Sequence, residues 1–272
     1  MISEIVILGR EIPVYGLIGI LGVCLALAYA LFSCRKFGLD RDDTAYIFVF
    51  GALGAAAGAK ILYLLVSTGD IISDIQSDEM SLELVVNKYI SGGMVFYGGL
   101  IGALLLAGYA AGRYGKEITD FFPVLIPGFA LAHGIARIGC LLVGCCYGIE
   151  ADIPFSITYH SSHIAPNDVP LLPVQAIEAA VEILIFAVLA FYAGHTVNRV
   201  SILWTYILLY APVRFCLEFL RGDEARGGLL MFSVSQWISI ILVAAVLVHI
   251  YISGRQNRKQ DFRRQVNDQK SS

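Results

Sequence analysis

Seven apolar runs, each long enough to cross a hydrocarbon layer as a helix, are separated by more polar segments. They occupy residues 14–32, 45–66, 92–112, 121–146, 174–192, 200–220 and 230–252. Backbone amides in lipid must be satisfied within the segment, so such runs leave a helical bundle as the practical solution. The chain is 57% hydrophobic and 15% charged, with mean hydropathy +0.73, too evenly apolar for a soluble domain around one core. The expected fold is therefore an all-α integral membrane protein with seven transmembrane helices and small external loops. The net charge of -3 decides little, and no basic nucleic-acid footprint is visible.

Orientation follows from where the basic residues fall. Arg35, Lys36 and Arg41 follow the first run, Arg113 and Lys116 the third, and His195 and Arg199 the fifth. Arg255, Arg258, Lys259, Arg263, Arg264 and Lys270 follow the last run and outweigh Asp261 and Asp268. Segment 67–91 instead carries Asp70, Asp74, Asp78, Glu79 and Glu83 against Lys88, and segment 150–172 has no Lys or Arg. Arg221, Asp223 and Arg226 follow the sixth run. The positive-inside rule then predicts an external N-terminus and a cytoplasmic C-terminus, with a spanning domain over 1–254 and a basic cytoplasmic tail over 255–272. Residues 1–13 lack the pattern of a cleavable signal peptide, so the first run is expected to remain as a span. Gly51, Gly54 and Gly58 give small-residue spacing for close helix packing, and no internal repeat is evident.

The most informative stretch is 130–148, ALAHGIARIGCLLVGCCYG. It places His133 and Arg137 one helical turn apart in an apolar helix, followed by Cys140, Cys145 and Cys146. A guanidinium at bilayer depth costs at least a few kcal/mol, so it must face a protein interior or wet cavity and hold an anion or partner. This helix is read as the floor of a phospholipid head-group site.

Other polar residues fall in the same outer half of the predicted topology: Lys60, Tyr97, Gln175, Glu178, Glu218, Arg221 and Gln236. Arg214, Glu218 and Arg221 share one helical face by spacing, as do Glu178 and Glu182. Arg137 with Glu178, or Arg214 with Glu218, read equally as ion pairs pinning helices, and that is the reading for Arg214, Glu182 and Lys60. Arg137 and Arg221 instead suit a phosphate diester, since planar, permanently charged forks match its oxygens. His133 reads as a packing residue or a base. Tyr97, among Gly92, Gly93, Gly98 and Gly99, reads as a hydrogen-bond donor or proton relay, or as a packing tyrosine.

The six cysteines lack the spacing of a secreted disulfide framework. On an ideal helix Cys140 and Cys145 do not face together, and a Cys145–Cys146 bridge would be strained, so no metal site is expected. Apolar filler and a nucleophile beside the arginines both remain open.

Taken together these residues resemble the bacterial prolipoprotein diacylglyceryl transferase family. The likeness rests on Tyr15-Gly16, Gly58-Ala59-Lys60, the run from Gly92 to Gly102, and Arg137-Ile138-Gly139 through Gly144 to Tyr147-Gly148. It continues in Pro173-Val174-Gln175 with Glu178, Arg214-Phe215, Glu218 through Arg221, and Ser235-Gln236. The chain departs from the family pattern at Tyr97, where a histidine is usual, and at Cys140, Val143 and Cys145, where Asn, Asn and Glu are usual. Lys60 stands for an arginine.

The resemblance implies a multi-pass enzyme of the bacterial inner membrane, active at the outer leaflet and without cofactor. It would move diacylglyceryl from phosphatidylglycerol to the lipobox cysteine of a prolipoprotein signal peptide, releasing glycerol phosphate. Arg137, Arg221, Tyr97 and Cys145 are the expected catalytic residues. Tyr15, Lys60, Cys140, Gln175, Glu178, Glu218 and Gln236 are the expected substrate-binding ones. Transfer to another acceptor, a covalent relay through Cys140 or Cys145, and a non-catalytic lipid-binding or transport protein on the same scaffold are the alternatives.

Overall fold

The need to satisfy backbone amides within each segment outweighs the glycines and prolines of the apolar runs, and a computed structural model shows them as helices, describing residues 4–7, 10–77, 81–223, 228–229 and 231–271. Asp78, Glu79 and Arg226, used above for orientation, lie outside the described residues, as do the side chains of 256–271. A hairpin of β1 (Glu4–Ile7) and β2 (Arg10–Pro13) leads directly into α1 (Val14–Ser33). The later helices are α2 (Arg41–Val66), α3 (Thr68–Gln76), α4 (Leu82–Ser91), α5 (Phe96–Arg113), α6 (Phe122–Val143), α7 (Val174–Ala193), α8 (Val200–Glu218) and α9 (Val234–Ser271). Short two-residue strands β3 (Ile157–Thr158) and β4 (Pro170–Leu171) pair in the loop after α6, and β5 (Gly228–Leu229) pairs with β6 (Phe232–Ser233) before α9.

Among the described residues six helices are long and apolar enough to cross a membrane, or up to seven if α4 and α5 are one span bent by 70°. That bend alters the third span read from sequence. Residues 92–112 are not one straight helix, and segment 67–91 is largely helical rather than a plain polar loop. The physical cause is the run Gly92-Gly93-Met94-Val95, whose amides leave the helical pattern. Lys60 Nζ donates to the Gly92 carbonyl at 2.8 Å, and Val95 N donates to the Ala59 carbonyl at 3.1 Å. Two of the groups orphaned at the break are thereby satisfied from α2.

The chain divides into two compact units, Ala26–Leu125 and a second formed by Met1–Leu25 with Ile126–Ser272. In the first, α2 and α5 approach backbone to backbone. A Cβ added at Gly54 or Gly58 would strike the carbonyl oxygens of Gly102 or Gly98, and the reverse substitutions would strike Gly54 and Gly58. Glycine is required there because the helix axes come too close for any side chain. Ala30, Cys34, Ile47, Ala110, Phe121 and Val124 form the rest of that unit's core. In the second unit α7 buries its polar face: Gln175, Glu178 and Glu182 are 1%, 1% and 0% exposed. Buried carboxylates cannot stand without partners, and those partners define the site.

The helix α9 runs unbroken past residue 255 to Ser271, so the predicted boundary between spanning domain and tail falls within one helix.

Candidate active site

Three helices of the second unit present polar residues at i, i+4 spacing toward one another. On α6 these are His133 and Arg137, on α7 Glu182 and Glu178, and on α8 Tyr206 and Tyr210. They meet as two rungs. Glu182 Oε1 lies 2.6 Å from His133 Nδ1 and accepts from the Tyr206 hydroxyl at 3.0 Å. One turn away, Glu178 Oε2 lies 3.1 Å from Arg137 Nε, and Glu178 Oε1 accepts from the Tyr210 hydroxyl at 2.7 Å. Tyr206 and Tyr210 stack with centroids 5.6 Å apart, and the His133 ring meets Tyr210 edge to face at 5.3 Å. Each carboxylate is thus held by a basic residue on one side and a phenol on the other.

The Arg137 contact is electrostatic rather than a well-aimed hydrogen bond, because Nε is not aligned to donate to the carboxylate. The pairing runs through Nε, not through the terminal fork, whose two nitrogens are the natural donors to a phosphate. Its side chain keeps 16% exposure, which leaves it reachable.

The turn beyond α6 differs from the ideal helix assumed from sequence. The helix ends at Val143, Gly144 takes φ +84° and Cys146 takes φ +58°. Cys145 N donates back to the Cys140 carbonyl at 3.2 Å. Cys140, Cys145 and Cys146 consequently place their sulfurs within 4.8 Å of one another, where an uninterrupted helix would have separated Cys140 from Cys145. The angular reason for setting a metal aside no longer applies.

Neighbouring elements lock this turn. Gln175 Nε2 donates to the Cys145 carbonyl at 2.8 Å, and the Tyr159 hydroxyl donates to the Leu141 carbonyl at 2.8 Å. Ser162 Oγ reaches the Val143 carbonyl at 3.3 Å. Burial pushes the Tyr159 hydroxyl up to about 12, so it remains a donor throughout the working pH range.

The chain after α8 is stitched to the same turn. Ile149 N donates to the Leu220 carbonyl at 2.9 Å, and Gly222 N donates to the Tyr147 carbonyl at 3.0 Å. This fixes Arg221 beside Cys146. Arg221 forks onto Asp223, with Nε and Nη2 each 2.9 Å from a carboxylate oxygen, while Nη1 is buried without a hydrogen-bond partner. Burial opposes its charge, but Asp223 and Cys146 outweigh that and hold the guanidinium above its ordinary range. The neighbouring Cys140 and Cys145 thiols, then the charges of Arg221 and Arg137, draw the Cys146 thiol below the ordinary thiol range.

The other expected site residues fall as follows. Tyr15 lays its ring against Gly139, where a Cβ would come within 3.3 Å of the ring, next to Arg137 and Cys140. Glu218 pairs with Arg214 at 2.6 Å, and Arg214 also reaches Ser235 at 3.3 Å, tying α8 to α9. Gln236 accepts from Ser233 N at 2.9 Å and donates to the Phe215 carbonyl at 3.4 Å, so its amide serves the start of α9. Lys60 and Tyr97 belong to the other unit, Lys60 at the helix break and Tyr97 with its ring edge-on to Phe96 at 5.6 Å. Sequence reasoning missed Tyr206 and Tyr210. Their spacing with Arg214, four residues per step, is the signal that marks them.

A family model for prolipoprotein diacylglyceryl transferase matches residues 4–252. The chain belongs to that family. Among curated relatives, a phosphatidylglycerol–prolipoprotein diacylglyceryl transferase of Clostridium tetani is 29% identical over 86% of this chain and 90% of its own length. One from Clostridium perfringens, numbered 2, is 28% identical over 93% and 96%. That of Geobacter sulfurreducens is 32% identical over 86% and 90%. The transferase family match spans both units, including the arginines, the cysteine turn and the glycine contact between α2 and α5.

Proposed function

We propose that this protein transfers the diacylglyceryl group of phosphatidylglycerol to the lipobox cysteine thiol of a prolipoprotein in the bacterial plasma membrane, releasing glycerol phosphate. Membership of the transferase family supports the reaction, and the electrostatic influence of both Arg137 and Arg221 on Cys146 is the observation that carries it to particular residues. Sulfur attacks the glyceryl carbon of a phosphate diester and displaces glycerol phosphate, a phosphate monoester. Charge builds on the departing phosphate oxygen, and two guanidinia held in a largely apolar setting stabilise it more than water would. Arg137 offers its terminal fork. Arg221 offers its buried Nη1, with Asp223 holding the rest of the group in orientation.

Tyr15 and Gly139 bound the same region and suit the glycerol end of the lipid. Gln175 acts through the Cys145 carbonyl and Glu178 through Arg137, so both are positioning residues. Tyr97 stands where the family usually has histidine and is assigned as donor or proton relay, a role that Tyr97→Phe tests by itself. The predicted orientation, with the N-terminus outside and the tail in the cytoplasm, opens the cysteine turn toward the outer leaflet, where exported acceptors arrive.

The test is purified protein in detergent with phosphatidylglycerol and a lipobox peptide, following peptide mass. Transfer that falls on the order of 100-fold in Arg137→Ala supports the assignment. Undiminished transfer after replacing both arginines contradicts it.

A further inference from the structure

The ladder and the arginines leave one feature of the second unit without a role: the three thiols gathered at the end of α6. Cys140, Cys145 and Cys146 take part in no disulfide and have sulfurs within 4.8 Å of one another, and Cys140 is buried. Sulfurs bound tetrahedrally to zinc at about 2.3 Å sit about 3.8 Å apart. The trio lies within about 1 Å of that spacing.

The backbone is committed to the gathering. Two departures into left-handed conformation, at Gly144 and two residues on at the non-glycine Cys146, turn the chain so that residues 145 and 146 return to residue 140. Gln175, Tyr159 and Ser162 each anchor a carbonyl of the turn, and two backbone pairs join it to the segment after α8. Cysteine used as apolar filler has no need of such a frame. Three thiolates select a soft or borderline cation of the zinc class over magnesium or calcium. They would leave a divalent ion with one net negative charge, which Arg137 and Arg221 offset from close by.

Three protein ligands and one vacant position make the pattern of a reactive zinc site, not a closed structural one. A thiol entering the vacant position loses its proton outright. The turn 144–148 itself supplies no carboxylate or imidazole to take that proton, and Glu178, Glu182 and His133 are engaged with one another's helices.

We propose that Cys140, Cys145 and Cys146 bind a divalent cation of the zinc class, whose fourth position takes the thiol that accepts the lipid. The second half of this statement rests on the transferase reading above; the first does not. On binding, the acceptor thiol gives its proton to water. The metal-held thiolate then forms the sulfur–carbon bond with its electron pair while the carbon–oxygen bond to phosphate breaks. Glycerol phosphate leaves with that pair, and the resulting thioether, a poor ligand, departs.

The experiment uses full-length protein in detergent, stripped with a chelator and titrated with cobalt(II) and zinc(II) chloride. One cobalt per chain is expected, with thiolate-to-cobalt charge-transfer absorption that zinc abolishes. The triple variant Cys140→Ser, Cys145→Ser, Cys146→Ser should bind phosphatidylglycerol micelles but show no such absorption. A lipobox peptide should shift the cobalt spectrum, and its Cys→Ser counterpart should not. Metal-free protein should transfer lipid roughly 100-fold more slowly and recover with zinc. Equal metal uptake by the triple variant overturns the site, and full transfer by metal-free protein overturns the thiol role. Absence of transfer by zinc-loaded protein with the cobalt spectrum intact overturns the transferase reading and leaves the metal site standing. Should the triple variant fail to bind lipid, wild-type protein with its thiols alkylated takes its place: retained cobalt absorption overturns the site.

Discussion

Arg137 and Glu178 meet side-on, Nε to Oε2 at 3.1 Å, while Tyr210 occupies the other carboxylate oxygen at 2.7 Å. The carboxylate is thereby spoken for on both oxygens, yet the arginine's fork is not. A single pair both pins α6 to α7 and leaves a cation presented for work. Glu178→Gln removes the counter-charge from a buried guanidinium, which is expected to cost about 3 kcal/mol. Thermal unfolding in detergent reads this as a lowered melting temperature, and an unchanged one would mean that the pair carries no structural load.

The rung one turn away should behave differently. Tyr206→Phe leaves the fully buried Glu182 with His133 but without its phenol, an expected loss of about 1–2 kcal/mol. Because Tyr206 contacts neither the arginines nor the cysteine turn in the described contacts, lipid transfer per folded molecule should be retained. A loss of turnover with unchanged stability would place this rung in the chemistry.

In the other unit, the contact of α2 with α5 tolerates no side chain. Gly102→Ala drives a methyl into the Gly54 carbonyl and should destabilise by about 1–3 kcal/mol. Gly108→Ala, on the same helix where an added Cβ meets nothing, serves as the comparison and should be near neutral. Equal effects of the two would refute the close approach.

How far these features were readable in the sequence varies with the physics behind each. The spans were legible because hydrocarbon thickness fixes their length, and Arg137 was legible because a charge in such a run needs a reason. The α4–α5 break was not, since glycine is frequent in membrane spans generally and the deciding contact, Lys60 to the Gly92 carbonyl, comes from thirty-two residues away. The cysteine cluster was misjudged for a related reason. Helical periodicity was carried through Gly144, although a glycine at a helix end is the usual place for the chain to turn left-handed. Glu178 and Glu182 were recognised as one face, but their tyrosine partners are uncharged and so raised no question of burial.

A pH effect is expected at the start of α2. Asp40 accepts from the backbone amides of Asp42 and Asp43, and these bonds hold its carboxyl below the usual carboxylate range. A depressed folded-state pKa gives stability that is present above the unfolded value and lost as pH falls through the folded one. The melting temperature of wild-type protein should therefore drop on acidification through that window. Asp40→Asn keeps a capping oxygen without the titration, so it should drop less. Parallel curves for the two proteins would show that the cap does not titrate with folding.

Whether this family member joins a thiol to the lipid at the turn beside Arg137 and Arg221 is decided by measuring glycerol phosphate release from phosphatidylglycerol with a lipobox peptide and with its Cys→Ser form. Release should require the cysteine peptide, match the lipidated peptide one to one, and fall on the order of 100-fold in Arg137→Ala. Release that ignores the acceptor thiol, or survives loss of Arg137, would contradict thiol transfer at this turn.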